Sequence, residues 1–221
     1  MVRKSVLTPF QKKIFQEIIS NQYFQDKYYF SGGTALAEFY LHHRFSKDLD
    51  FFTDQEVSHQ EILSLLKPKF DQMDIESFEY REQAAMKIFF FKNHGGQKIK
   101  VDFNYFPFKQ LNKFKVFQGF KIDSLFDLTV NKINLILTRT NIRDYIDLYF
   151  IQKEKDYSWS VIIDGIKEKY SWKVDKLNLG SKFIKADKYH DYPEMIKNFD
   201  KNKMIDFFYN QAEILKKEVM V

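Results

Sequence analysis

At 221 residues and 26.8 kDa, with 44% hydrophobic and 29% charged residues, the chain reads as a soluble globular protein with one sizeable core, or a larger and a smaller one. Charges interrupt every apolar run, and the start MVRKSVLTPFQKK has no apolar h-region or small-residue cleavage site; neither a membrane span nor a signal peptide is expected. The absence of cysteine excludes disulfides and thiolate metal sites and favours the cytoplasm, while a net charge of +5 and a pI near 9.0 permit a polyanionic partner without requiring one.

Thr8 and Pro9 form an N-cap and first-turn pair, so a helix is predicted from Pro9 to about Ile19. Tyr28 to Phe30 is a short extended entry, and a helix from Thr34 to His43 begins at the glycine pair Gly32-Gly33. Lys47 to Thr53 reads as a strand, and Ser58 to Phe70 as an amphipathic helix with Ile62, Leu63, Leu65 and Leu66 as its apolar members. Strand-like runs follow at Ile75 to Arg81 and Met86 to Lys92, then the turn NHGG at 93–96, then a returning strand from Lys98 to Phe106. From Asp123 onward only helical periodicity is visible, in DSLFDLTVNKINLILTR, IRDYIDLYFIQ, SVIIDGIKEKY and NKMIDFFYNQAEILKK. The fold class expected is α+β, with an α+β domain over 1–121 and an all-helical domain over 122–221. The 25 phenylalanines and 13 tyrosines suggest base-stacking platforms, but A/T-rich codon usage explains the same enrichment of Phe, Tyr, Ile, Lys and Asn.

Asp48 and Asp50 are two residues apart on the predicted strand. On a strand such positions share a face, whereas on a helix they would diverge by about 200°. Leu49 and Phe51 then point to the core, and the two carboxylates converge on the opposite side. Converging carboxylates raise each other's proton affinity unless a cation lies between them, and Mg²⁺ is a natural occupant because it takes hard oxygen ligands. A calcium-binding loop does not fit, since Thr53 would stand at the required glycine and His59 at the bidentate glutamate. A third carboxylate comes from KIKVDFNYF. Strict alternation there places Lys98, Lys100, Asp102 and Asn104 on one face and Ile99, Val101, Phe103 and Tyr105 on the other. Three carboxylates on neighbouring strands can hold two metal ions for phosphoryl transfer. Taken singly, each of these acids also fits a solvated strand position.

Gly32 and Gly33 stand where a strand hands over to a helix. Without Cβ atoms the backbone can approach an anion closely, and the first N–H groups of the helix point toward it; Thr34 adds a hydroxyl. The sequence SGGTALA is neither a Walker loop nor a dinucleotide fingerprint. With HRFSKDLDFF and the later VDF, however, GGTALA resembles the DNA-polymerase-β-like nucleotidyltransferases, most closely the AbiEii/AbiGii toxin family. DLTVNK, carrying Asp127 and Lys132, and IRDYIDLY, carrying Arg143, Asp144 and Asp147, extend the resemblance to about residues 30 to 150.

The resemblance implies a polymerase-β-like core with a mixed sheet flanked by helices. It implies that Asp48 and Asp50 bind the metals and that Asp102 binds one metal and helps to activate the acceptor hydroxyl. Gly32, Gly33 and Thr34 would hold the nucleotide phosphates, bordered by Arg44 and Ser46, with Lys132 as a point charge on the triphosphate. Asp127, Arg143, Asp144 and Asp147 would support the site, the last two orienting Arg143 or Lys132. The implied activity is Mg²⁺-dependent transfer of a nucleoside monophosphate from an NTP, in the toxin of a toxin–antitoxin or phage-defence system. Better understood family members act on the tRNA 3′ end, so tRNA or other RNA and a cognate antitoxin are the implied partners. A protein side chain or small molecule as acceptor, and a non-catalytic RNA- or nucleotide-binding module, are the rival readings. Binding RNA alone would gain nothing from clustered acids. The stretches KEKYSWK and KFIKADKYH mix lysines with aromatics, which suits either RNA contact or a solvated basic helix face. The adjacent His42 and His43 diverge by about 100° on a helix and cannot chelate one ion together.

Overall fold

In the computed structural model, which describes residues 5–139 and 141–220, the chain forms two compact units. One comprises residues up to Phe108 together with Lys113–Ser124; the other comprises Lys109–Asn112 and the chain from Leu125 onward.

The first unit opens with α1 (Pro9–Ser20). Thr8 Oγ1 accepts from the Gln11 N–H at 3.2 Å and Gln11 Oε1 accepts from the Thr8 N–H at 2.9 Å, a reciprocal box that satisfies two backbone donors. Phe10, Ile14, Phe15, Ile18 and Ile19 form its buried stripe. Next comes α2 (Gln22–Lys27), which the sequence reading leaves out: six residues are too few for a period, and the Asn21 cap, accepting from the Tyr23 N–H, is the only local sign of it. Strand β1 (Tyr29–Ser31) leads into α3 (Gly32–Leu36), which widens into a π-helical turn over Ala37–Leu41 and stops at His42 in the left-handed region, φ 50. Strand β2 (Asp48–Thr53) follows.

The helix expected over 58–70 is broken into α4 (His59–Leu66), a 3₁₀ turn over Lys67–Lys69, and α5 (Phe70–Met73). Pro68 is the cause, because it has no N–H to continue the ladder. Strands β3 (Ile75–Gln83), β4 (Met86–Asn93) and β5 (Lys98–Tyr105) form a meander whose second turn closes by Gly96 N–H donating to Asn93 O at 2.9 Å. A further hairpin absent from the sequence reading, β6 (Lys115–Phe117) and β7 (Phe120–Ile122), turns on Gln118 and Gly119, both with positive φ as a two-residue turn requires. Strands of three residues are too short to show alternation.

The seven strands pair in the order β3-β4-β5-β2-β1-β7-β6. β2 runs parallel to β5 and β1 parallel to β7, and the remaining neighbours are antiparallel. One face of the sheet packs into a single cluster with the apolar stripes of α1, α2, α4 and α5. Phe51 sits within it, its ring 5.2 Å from Phe30, 5.4 Å from Phe103 and 5.9 Å from Phe120. Much of the phenylalanine content is therefore core, out of reach of any nucleic-acid base.

The second unit carries α6 (Leu125–Thr138), α7 (Ile142–Lys155), α8 (Trp159–Tyr170), α9 (Lys176–Phe183) and α10 (Lys201–Met220). α9 is a further helix that the sequence reading leaves out; Asp175 caps it by accepting from the N–H groups of Leu177 and Asn178. Tyr145, Phe183 and Phe208 are buried together, with ring centroids 5.2 Å apart for Tyr145–Phe208 and for Phe183–Phe208. Gly165 lets α8 lie close on α6, since a Cβ there would stand 2.9 Å from Val130 Cγ2.

Candidate active site

β2 reads in burial as its sequence alternation predicts: Leu49, Phe51 and Thr53 are buried, while Asp48, Asp50 and Phe52 are partly exposed on the other face. That face is opposite the helix-covered core. The parallel register with β5 sets Asp48 beside Lys100 and Asp50 beside Asp102, so the three carboxylates come from adjacent strands. β5 is an interior strand between β4 and β2 rather than an edge, and Asp102 is only 3% exposed.

This crowding has an electrostatic signature. Burial pushes the Asp102 carboxyl above the usual carboxylate range; the Lys100 ammonium pulls it back, and the Asp48 charge pushes it up again. Lys100 donates to Asp102 Oδ2. Burial would lower the proton affinity of Lys100, but Asp102, Asp50 and Asp48 together hold it above its ordinary value. Asp102 Oδ1 is buried and has no hydrogen-bond partner among the described residues. Lys100 was visible in the sequence alternation as one more polar residue. Its place among the acids came only with the register.

Gly32 explains the first half of the motif. Its φ is +76°, and a Cβ there would lie 2.3 Å from Asp50 Oδ2. A Cβ on Gly33 would meet an Arg44 guanidinium nitrogen at 2.5 Å and Ser46 Oγ at 3.6 Å. The glycine pair is thus the floor on which Asp50, Arg44 and Ser46 rest. Arg44 is buried at 3% exposure and donates to the Phe45 carbonyl, and the Ser46 carbonyl accepts from Gln11 Nε2 at 2.8 Å. Thr34 is fully buried, and its hydroxyl donates to the Asp48 carbonyl, tying α3 to the acidic strand. One positioning residue escaped the sequence reading. Asp123 is fully buried, accepts from Ser31 Oγ at 2.6 Å and from the Ser124 N–H at 3.0 Å, and so fixes the residue that faces Asp50 across the β1–β2 pairing. Ninety-two residues separate Ser31 from Asp123, and no local pattern could join them.

The later motif residues lie in the helical unit. Lys132, with 6% of its side chain exposed, places Nζ 2.9 Å from Asp144 Oδ1 and 2.6 Å from Asp147 Oδ2. Arg139, which the motif reading did not single out, adds a two-pronged contact to Asp144 at 2.9 and 3.1 Å. Both acids therefore face Lys132, one turn apart on α7, and bind α7 to α6. Arg143 turns instead to Asp191 at 2.8 Å. Asp127 is fully buried and accepts from Lys169 Nζ at 2.8 Å and from the N–H groups of Leu111 and Asn112, each at 2.9 Å. Lys169 and Phe183, from the two lysine–aromatic stretches, are buried parts of this unit.

Among the described residues no three His, Cys, Asp or Glu side chains stand as a ready-made metal cage. The donor set of Asp48, Asp50 and Asp102 nonetheless fits a hard divalent cation. It offers only carboxylate oxygens, one of them buried and unpartnered, around a place already occupied by the Lys100 charge. None of the helices in the described residues is long and apolar enough to cross a membrane.

A family model described as the nucleotidyl transferase AbiEii toxin, type IV TA system, matches residues 13–211. Among solved structures, a candidate nucleotidyltransferase from H. pylori superposes with a TM-score of 0.60 at 18% identity, covering 95% of this chain and 94% of that one. JHP933 from Helicobacter pylori superposes with a TM-score of 0.59 at 18% identity, covering 95% and 91%. At such identity these two matches speak for the fold alone. No curated protein matches the chain.

Proposed function

The chain belongs to the AbiEii family of nucleotidyltransferase toxins of type IV toxin–antitoxin systems, and from that premise we propose that it moves a nucleoside monophosphate from an NTP to the 3′ end of an RNA, with tRNA as the target. The observation that carries the reading is the register placing Asp50 beside Asp102 and Asp48 beside Lys100 on the sheet face opposite the core cluster. Asp48, Asp50 and Asp102 would hold Mg²⁺, which when bound supplies charge neutralisation at the phosphates and a lower pKa for the acceptor hydroxyl. Gly32 and Gly33 would let the backbone approach the phosphates, with Arg44 and Ser46 behind them. The acceptor oxygen attacks the α-phosphorus, the bond from that phosphorus to the β-phosphate bridging oxygen breaks, and pyrophosphate leaves. Asp102, whose carboxyl is held above the ordinary range by burial, would take up the hydroxyl proton. The basic pI supports an RNA acceptor. The toxin would act in the cytoplasm, countered by an antitoxin, in defence against phage.

The test is transfer of label from each α-³²P NTP onto total cellular RNA and protein, resolved by size, with the Asp50→Asn protein beside the wild type. Label in tRNA-sized RNA that depends on Mg²⁺ and on Asp50 is the expected result. Label confined to protein or small molecules would replace the acceptor. No Asp50-dependent label in any fraction would overturn the reading.

A further inference from the structure

Lys100 has a place that the family motifs do not assign. It lies opposite Asp48 in the β2–β5 register and two residues from Asp102 on the same face. Its ammonium is bonded to Asp102. Across the other edge of β5, the residues facing Lys100 and Asp102 are Phe90 and Ile88, which contribute no charge. That ammonium lies on the sheet face that carries the three carboxylates, and Asp102 Oδ1 is buried without a hydrogen-bond partner among the described residues. About a third of the Lys100 side chain is exposed, 33%, so its flexible stem has a route toward water.

We propose that Lys100 is a resident surrogate cation, which holds Asp48, Asp50 and Asp102 together in the metal-free protein and has to be displaced for a divalent cation to load. This rests on the reading of those three acids as the metal-binding set. The physical ground is competition: without a bridging anion such as a phosphate between them, an ammonium and a divalent cation on the same carboxylates repel each other strongly. Lys100 thereby weakens binding of free metal. It also removes the mutual repulsion that the acids would otherwise exert on the empty fold. A metal that arrives with a triphosphate brings anionic oxygens to which the displaced ammonium can turn, so loading of metal and of nucleotide become coupled.

The experiment is titration of Mn²⁺ without nucleotide, followed by the electron paramagnetic resonance of the free ion, together with thermal unfolding in EDTA and in Mn²⁺. Wild type, Lys100→Met, Lys100→Arg and Asp50→Asn are compared. Lys100→Met should bind Mn²⁺ at least about tenfold more tightly than wild type. It should also unfold at a lower temperature in EDTA and recover in Mn²⁺, whereas wild type responds little. Lys100→Arg, which keeps the charge, should stay near wild type in Mn²⁺ affinity. If Lys100→Met folds only in Mn²⁺ that outcome supports the proposal, and Lys100→Gln then supplies the affinity. Unchanged Mn²⁺ affinity in the charge-removing variants, with binding still lost in Asp50→Asn, would sink the surrogate role and leave the metal site standing. Binding that ignores Asp50→Asn, or is absent from every protein, would sink both.

Discussion

Replacing Gly32 by alanine tests the link between the glycine pair and the acid cluster. Two separate penalties follow from the geometry. The residue has φ +76°, a conformation that costs a non-glycine residue about 1 kcal/mol or somewhat more. The new Cβ would also stand 2.3 Å from Asp50 Oδ2, 2.9 Å from its Cγ and 3.0 Å from its Cβ. β2 cannot retreat easily, because Asp50 is paired to Ser31 on one side and to Asp102 on the other. The Asp50 side chain has to give way, at the roughly 1–3 kcal/mol typical of overpacking. Together these make about 2–4 kcal/mol, or roughly 5–15 °C in melting temperature for a chain of this size. Moving Asp50, the carboxylate proposed to hold metal, by about 1 Å should slow transfer about a hundredfold. Gly96→Ala is the control: its φ is +79°, but nothing lies within 4 Å of the added Cβ. It should lose about 1 kcal/mol from strain alone and transfer at the wild-type rate. Thermal unfolding by circular dichroism and single-turnover transfer on the same preparations provide the readouts. If Gly32→Ala matches Gly96→Ala in both, the glycine is not there to make room for Asp50.

Asp102→Asn should bind Mg²⁺–NTP within several-fold of wild type in calorimetry yet lose at least about a hundredfold in single-turnover rate, the scale of lost acid–base assistance; full-rate transfer would place Asp102 outside the chemistry. Lys132→Met removes a buried ion-pair partner from both Asp144 and Asp147, and should cost about 3–5 kcal/mol in denaturant unfolding; a loss under about 1 kcal/mol would show that water or the other partners of these acids suffice. Inducing the wild-type chain in bacteria without an antitoxin should arrest growth, and the Asp48→Asn form should not; equal arrest by both would point to toxicity through binding alone.

The sequence by itself determined which side chains share a face. Alternation in DLDFF and KIKVDFNYF separated acids from apolar residues, Thr8 and Pro9 marked a helix start, and the glycine pair marked the entry to another. Such signals follow from covalent backbone geometry, whose periods of 2 and 3.6 are complete within a few residues. They let the acids be grouped and the family resemblance be seen. Short elements such as β6, β7 and α2 escaped because three to six residues do not complete a pattern. Only the tertiary structure decided which distant residues meet. The parallel register that puts Asp50 beside Asp102 and Lys100 beside Asp48 is set by fitting Leu49, Phe51, Val101 and Phe103 into one core. A slip of one residue would turn every one of those side chains to the wrong face. The Ser31–Asp123 bond, the enclosure of Lys132 by Asp144 and Asp147, and the burial of Asp127 against Lys169 are likewise products of packing. A local stretch specifies its own period, but the energy that selects a partner for a buried charge comes from desolvation, and desolvation exists only once the rest of the chain has closed around it.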